Sequence, residues 1–231
     1  MRLFLVSVSI ALAACHSVPS DWVSGTVYLV AVGSPSEVEM MRAEQILGLL
    51  TQRPVKRMPS RQLVPAEEHP HCPSKAPCYD AGEILDDLLR DPPTDTFRIV
   101  GVTEAPMSAA VARDSIAFAR HHERALLYTT ASFKQLNASS AHDRTRQILS
   151  HELGHTFGAE HCRGPCVMQP RLTEHATIRA CPLHRKHMVE GLLQSIDSGS
   201  FLAAVGRERS RLGRWDEAID AYRRALLRSP N

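Results

Sequence analysis

Residues His151 to His161 read HELGHTFGAEH. On a helix, side chains four apart lie over one another on one face, so His151 and His155 aim two imidazoles at a single point. Gly158 tolerates the left-handed backbone that ends a helix and reverses the chain, which lets His161 return as a third donor. Three neutral imidazole nitrogens are the ligand set of a zinc ion whose fourth position stays open to water. Glu152, one residue past the first histidine, falls beside that position, where a carboxylate takes a proton from water as a general base. The residue types and their spacing therefore predict hydrolytic zinc chemistry, against the competing reading of a polar helix with incidental histidines.

The next residues add a second set of soft donors. The chain holds 6 cysteines, Cys15, Cys72, Cys78, Cys162, Cys166 and Cys181. Cys72 and Cys78 bracket the loop HCPSKAPC, whose prolines turn the chain, so a local disulfide is expected there. Cys162, Cys166 and Cys181 gather after the histidine motif with His184 and His187 close by. The three cysteines cannot all pair with one another, and a Cys166–Cys181 disulfide that leaves Cys162 free is one reading.

The run from His161 through Cys162, Cys166, Val167 and Met168 to Cys181-Pro182-Leu183-His184 resembles the archaemetzincins, within the wider metzincin clan of zinc metallopeptidases. The resemblance implies an α+β fold in which a mixed β-sheet carries an active-site helix. It implies His151, His155 and His161 on a catalytic zinc, Glu152 as general base, and Met168 as the methionine of the turn beneath the metal. It also implies a second, structural zinc on Cys162, Cys166, Cys181 and the position of His184, with His187 a rival fourth ligand. Two departures stand out. Three residues separate the first two cysteines where the family has four, and His184 stands where the family has a cysteine. Imidazole is an ordinary zinc ligand, so the set stays coherent.

Several elements must position these groups. GTVYLVAVG, Gly25 to Gly33, reads as a buried strand, and Glu37 to Leu50 as an amphipathic helix with Val38, Met41, Gln45/Ile46 and Leu49 at helical spacing. A Pro-rich loop is expected from there to about Tyr79. Ala81 to Arg90 reads as a helix with Ile84, Leu85, Leu88 and Leu89 inward, halted by Pro92. Phe97 to Val102, Ile116 to Arg120 and Ala125 to Thr130 read as strands, the last two flanking the polar HHER turn. A helix from about His142 to Gly158 carries the chemistry, and Pro182 to about Ile196 forms another, with Met188, Leu192, Leu193 and Ile196 in helical register. If Ile116 to Arg120 is an edge strand, a substrate peptide would add to it as a further strand.

Both ends of the chain carry separate signals. MRLFLVSVSIALAAC has one basic residue and a short apolar run suited to an export signal, too short for a stable bilayer span. Its Leu12-Ala13-Ala14-Cys15 end resembles a bacterial lipobox, which implies lipidation of Cys15 and membrane anchoring after removal of residues 1–14; an ordinary cleavage near Ala14 and an uncleaved anchor are the alternatives. His16, in place of an aspartate, leans toward the outer membrane. Residues 15–24 would be a tether and 25–196 the archaemetzincin-like domain. Residues 199–231, with Gly206, Leu212, Gly213, Trp215, Ala218, Ile219, Tyr222, Ala225 and Pro230, resemble a single tetratricopeptide repeat, a helical hairpin that must pack on the domain or on a protein partner because one repeat cannot bury its own faces.

The 231 residues carry 27 basic and 25 acidic side chains for a net charge of +2, so no basic stripe argues for nucleic acid. A peptide or protein substrate is expected. Two other classes compete: a non-catalytic zinc-stabilised module that recruits a partner through its tail, and a zinc amidase of cell-wall peptides.

Overall fold

The computed structural model describes residues 25–63, 79–108, 116–120, 123–170, 179–193, 206, 210, 213 and 215–228. Cys15, Cys72 and Cys78, and with them the expected lipidation and disulfide, lie outside the described residues. Among the described residues no helix is long and apolar enough to cross a membrane.

A five-stranded mixed sheet organises the molecule. Its strands are β1 (Thr26–Val32), β2 (Val55–Arg61), β4 (Thr96–Thr103), β6 (Ala117–Ala119) and β7 (Ala125–Thr129), in the order β2-β1-β4-β7-β6. Four run parallel, and β6 closes one edge antiparallel to β7, with Phe118 opposite Leu127. Both faces are covered, so β1 and β4 read as nearly continuous apolar runs. Alternate residues still divide between two cores. Val27, Leu29, Val100 and Val102 face α1 (Glu37–Thr51) and α3 (Ala138–Thr156), while Val30, Val32, Ile99 and Leu127 pack on Leu85 and Leu88 of α2 (Ala81–Leu88). This α+β layering agrees with the sequence-based expectation for the fold class.

Local chemistry explains the helix limits. Ser36 caps α1 by accepting from the Glu39 amide, and the Asp80 carboxylate caps α2 by accepting from the amides of Gly82 and Glu83 at 2.6 and 3.1 Å. α3 begins four residues before the expected start, because Asn137 Oδ1 accepts from the Ser140 amide at 2.9 Å and nucleates the first turn. α4 (Pro182–Leu193) follows a proline at its first position.

Two expectations fail here, and one pairing had none. β2 occupies the start of what reads as a loop; its sequence, VKRMPSR, is polar on both faces because the strand lies at the sheet edge, where Pro59 is tolerated. A two-residue pairing of β3 (Tyr79–Asp80) with β5 (Met107–Ser108) gives no sequence signal at all. α1 is turned relative to expectation: Met40, Ala43, Ile46 and Leu47 are buried, and Val38, Met41 and Leu49 are exposed. Small Ala43 lets the helix approach the sheet closely, which the bulkier stripe would prevent. Of the inward set proposed for α2, Leu85, Leu88 and Leu89 are buried and Ile84 is half-buried. The last helix, α5 (Trp215–Arg228), covers the stretch expected as the second half of the hairpin; most of the stretch expected as its first half lies outside the described residues.

Candidate functional site

From Ile148 to Thr156, α3 is buried without a break although it contains Ser150, His151, Glu152, His155 and Thr156. Polar groups in such a setting demand partners. His151 Nδ1 donates to the Val167 carbonyl at 2.7 Å and His155 Nδ1 to the Ala159 carbonyl at 2.8 Å. In the neutral rings these bonds fix both protons on Nδ1 and leave a lone pair on each Nε2. The two Nε2 atoms face each other across 3.0 Å, lone pair to lone pair, an arrangement that a shared cation relieves. His161, exposed, supplies the third donor, and the ligand atoms of all three lie within 4.8 Å of one another. The donor set thus fits zinc.

The chain reversal follows the predicted route. Phe157 caps α3, Gly158 takes φ 82°, its amide bonds the His155 carbonyl at 2.9 Å, and the Ala159 amide bonds the Gly154 carbonyl at 3.0 Å. This is a Schellman ending, and it serves the site twice. It sends the chain back toward His161, and it brings the Ala159 carbonyl under the His155 ring. Glu152 is buried, and burial pushes its carboxyl up to about 8. Desolvation likewise holds His151 below its ordinary value, opposed by its bond to Val167. Both shifts favour the uncharged forms that a cation would find on arrival.

A second cluster lies a residue away in sequence. Cys162, Cys166, Cys181 and His184 bring their ligand atoms within 4.8 Å of one another, and the three cysteines are free thiols. His184 Nδ1 sits 3.0 Å from Cys181 Sγ and 3.4 Å from Cys166 Sγ. His187 is not in the cluster, its ring centre lying 6.2 Å from that of His184. Cys181 precedes α4, and the backbone amide of His184 leads in lowering its thiol to about 6, as expected at a helix N-terminus. Cys166, fully buried, is pushed up by desolvation. Three thiol donors and an imidazole are a fitting zinc set.

Hydrogen bonds join the two clusters. The Cys162 amide bonds the Met168 carbonyl at 2.7 Å, the Gln169 amide the Cys166 carbonyl at 3.1 Å, and the Val167 amide the Arg179 carbonyl at 2.9 Å. The loop they close presents the Val167 carbonyl to His151 and buries Met168 completely. Met168 lies against Gly154, in the middle of the motif: a Cβ there would meet Met168 Sδ at 2.4 Å and Met188 Cε at 2.9 Å. Gly154 is therefore a site residue that the motif reading leaves without a role, although a glycine inside a helix between two ligands is itself a signal.

Arg98 is the other omission. Fully buried on β4, it donates from Nε to Thr156 Oγ1 at 2.8 Å and from a guanidinium nitrogen to the Phe97 carbonyl at 2.7 Å. Its guanidinium carbon stands 4.5 Å from the ring centres of both Phe97 and Phe157. Burial, then Arg124 and Arg53, hold its pKa well below the usual arginine value. The cation lies at the C-terminal end of α3, one residue past His155, where the helix dipole favours positive charge. A lone arginine in the apolar run FRIVGV is the sequence signal that marks it.

The chain superposes on the crystal structure of an archaemetzincin from Methanopyrus kandleri with a TM-score of 0.61, 21% identity and coverage of 74% of this chain and 97% of that one. The fold is that of the archaemetzincins. A second archaemetzincin, from Archaeoglobus fulgidus and complexed with malonate, matches at TM-score 0.58 and 16% identity over 70% of this chain and 99% of the other. A zinc-dependent peptidase from Methanocorpusculum labreanum matches at 0.51 and 19%, over 70% and 99%. No family model and no curated protein matches the sequence.

Proposed function

We propose that the chain is a zinc-dependent metallopeptidase that hydrolyses peptide bonds. The observation that carries this reading is the facing of the His151 and His155 Nε2 atoms beside His161, with the buried Glu152 one residue past His151 in the helix. His151, His155 and His161 would hold the ion, which when bound supplies the Lewis acidity that polarises a carbonyl and makes water acidic near neutral pH. Glu152 takes the proton from the attacking water on its carboxylate and hands it to the leaving amine. Burial has already raised its affinity for that proton, which suits a group that must both accept and release it near neutrality. The Val167 and Ala159 carbonyls hold the two rings, and Met168 packs against Gly154, which lies between them in the helix.

Cys162, Cys166, Cys181 and His184 would hold a second, structural zinc that fixes the loop carrying Val167 and Met168. β6, as the edge strand, offers a rail on which an extended peptide adds antiparallel or parallel, and proline at Ala117 or Ala119 should abolish turnover of such substrates. The amino-terminal signal supports export and lipid anchoring at Cys15, with 15–24 as tether, 25–196 as the peptidase domain and 199–231 as a tetratricopeptide-like tail. The structural likeness to archaemetzincins and to a zinc-dependent peptidase agrees with the chemistry.

The test is cleavage of a proteome-derived peptide library by a soluble form beginning after Cys15, beside its Glu152→Ala variant, with products read by mass spectrometry. Products that vanish in the variant are expected. A folded, zinc-loaded protein that leaves linear peptides intact but cleaves muropeptides would make it a cell-wall amidase, and one inert to both would make it a binding module.

A further inference from the structure

α5 carries Trp215, Ile219, Tyr222 and Leu226 at intervals of four, three and four residues, the spacing of a helix seam. Trp215, Ile219 and Leu226 are 64%, 47% and 70% exposed, so three large apolar groups of the stripe meet solvent. The helix packs through the neighbouring flank: Ala218 is buried, and a Cβ on Gly206 would meet the Tyr222 ring at 2.8 Å, which places Gly206 against Tyr222. Trp215, Ile219 and Leu226 are thus the outward side of α5, with half-buried Tyr222 at its border.

The charges beside it are sorted along the helix. Asp216 and Asp220 stand in the N-terminal half, and Arg223 in the C-terminal half. Exposed Asp216 follows Trp215, and exposed Arg223 follows Tyr222, so both occupy the same edge of the stripe one heptad apart. Two such helices side by side in parallel would set acid on acid and base on base. Antiparallel, about a two-fold axis between Ile219 and Tyr222, Trp215 meets Leu226 of the second helix, Ile219 meets Tyr222, and each Asp216 comes within reach of the other chain's Arg223.

We propose that the outward stripe of α5 is a homodimer interface, in which the helices of two copies pair antiparallel through Trp215, Ile219 and Leu226. The patch is self-complementary in shape pattern and in charge, as an isologous two-fold contact requires. A 14-residue helix is about 21 Å long. The contact alone falls below the standard size for a tight complex, so the dimer is weak and concentration-dependent. This inference is independent of the proposed peptidase chemistry.

Sedimentation equilibrium of the full chain in mild detergent tests it. A monomer–dimer equilibrium is expected, with the dissociation constant raised at least about ten-fold by Ile219→Glu at an unchanged circular dichroism spectrum. Asp216→Arg and Arg223→Asp should each weaken the dimer; an equimolar mixture of the two variants, or both changes in one chain, should restore it. A protein that stays monomeric, or a dimer indifferent to Ile219→Glu, would overturn the proposal. So would a dimer lost on Met41→Glu but not on Ile219→Glu, which would assign the contact to the exposed stripe of α1. Failure of the charge exchange to restore association would overturn the antiparallel pairing.

Discussion

The two donor clusters are equally compact and adjacent in the chain, yet they are built for opposite ends. The histidine trio offers three donors, one of them the exposed His161, and the buried Glu152 follows its first member in the chain. The cysteine cluster offers four donors, with Cys166 and His184 buried, as many as a tetrahedral zinc shell would take. The number of donors, rather than the identity of the metal, separates a centre that admits a reactant from one that only ties chain to chain. The segment Cys162 to Met168 belongs to both, since one end supplies thiols to the cysteine cluster and the other braces His151 through the Val167 carbonyl.

The largest effect should come from dismantling the closed cluster. Elemental analysis is expected to give two zinc ions per intact chain and one in a Cys166→Ala, Cys181→Ala variant. Because metal affinity at such a site is folding free energy, of order 10 kcal/mol in small zinc domains, the variant should also melt well below the intact protein. Its remaining turnover measures how far Val167 and Met168 depend on the loop. One zinc in the unmodified protein would remove the distinction between the clusters.

Gly154→Ala attacks the open site through its contact with Met168. The new methyl must displace Met168 or Met188, at about 1–3 kcal/mol for overpacking. Zinc titration should show weaker binding at the histidine trio with the cysteine cluster unchanged, and Met168→Ala in the same chain should recover part of the loss. Equal weakening at both sites would show that the Met168 contact serves both.

The third effect concerns pH in the metal-free protein. Burial raises the folded Glu152 carboxyl from its ordinary 4.5 to about 8, so the folded state holds this proton more tightly than the unfolded chain does. Its contribution is full below the unfolded value and is lost as pH rises toward 8. Urea unfolding in chelator at pH 5 and pH 9 should show that decline, and Glu152→Gln should flatten it. An identical pH dependence in both proteins would place the Glu152 carboxyl in water.

The two regions also differ in how much of them the sequence discloses. The donors of both clusters are legible because their chemistry is carried by side-chain type within a short stretch, and Gly158 turns the chain as its conformational freedom predicts. The carbonyls that orient the rings are not, since Val167 and Ala159 act through backbone atoms that any residue would supply. Arg98 and Gly154 act on contacts made across 58 and 14 residues of chain, which no local pattern fixes. In the frame, β4 and β7 announce themselves by apolar runs. β2 does not, because an edge strand wet on both faces has no hydrophobic period. α1 misleads for the opposite reason, being apolar on two stripes, of which the one with the small residue packs.

The central claim is that Glu152 performs chemistry at an open three-histidine centre, and the initial rate of peptide hydrolysis tests it most directly. On a substrate found in the library, Glu152→Gln at zinc content equal to the unmodified protein should be slower by about 10²–10⁴-fold. Equal rates in the two proteins would contradict the account.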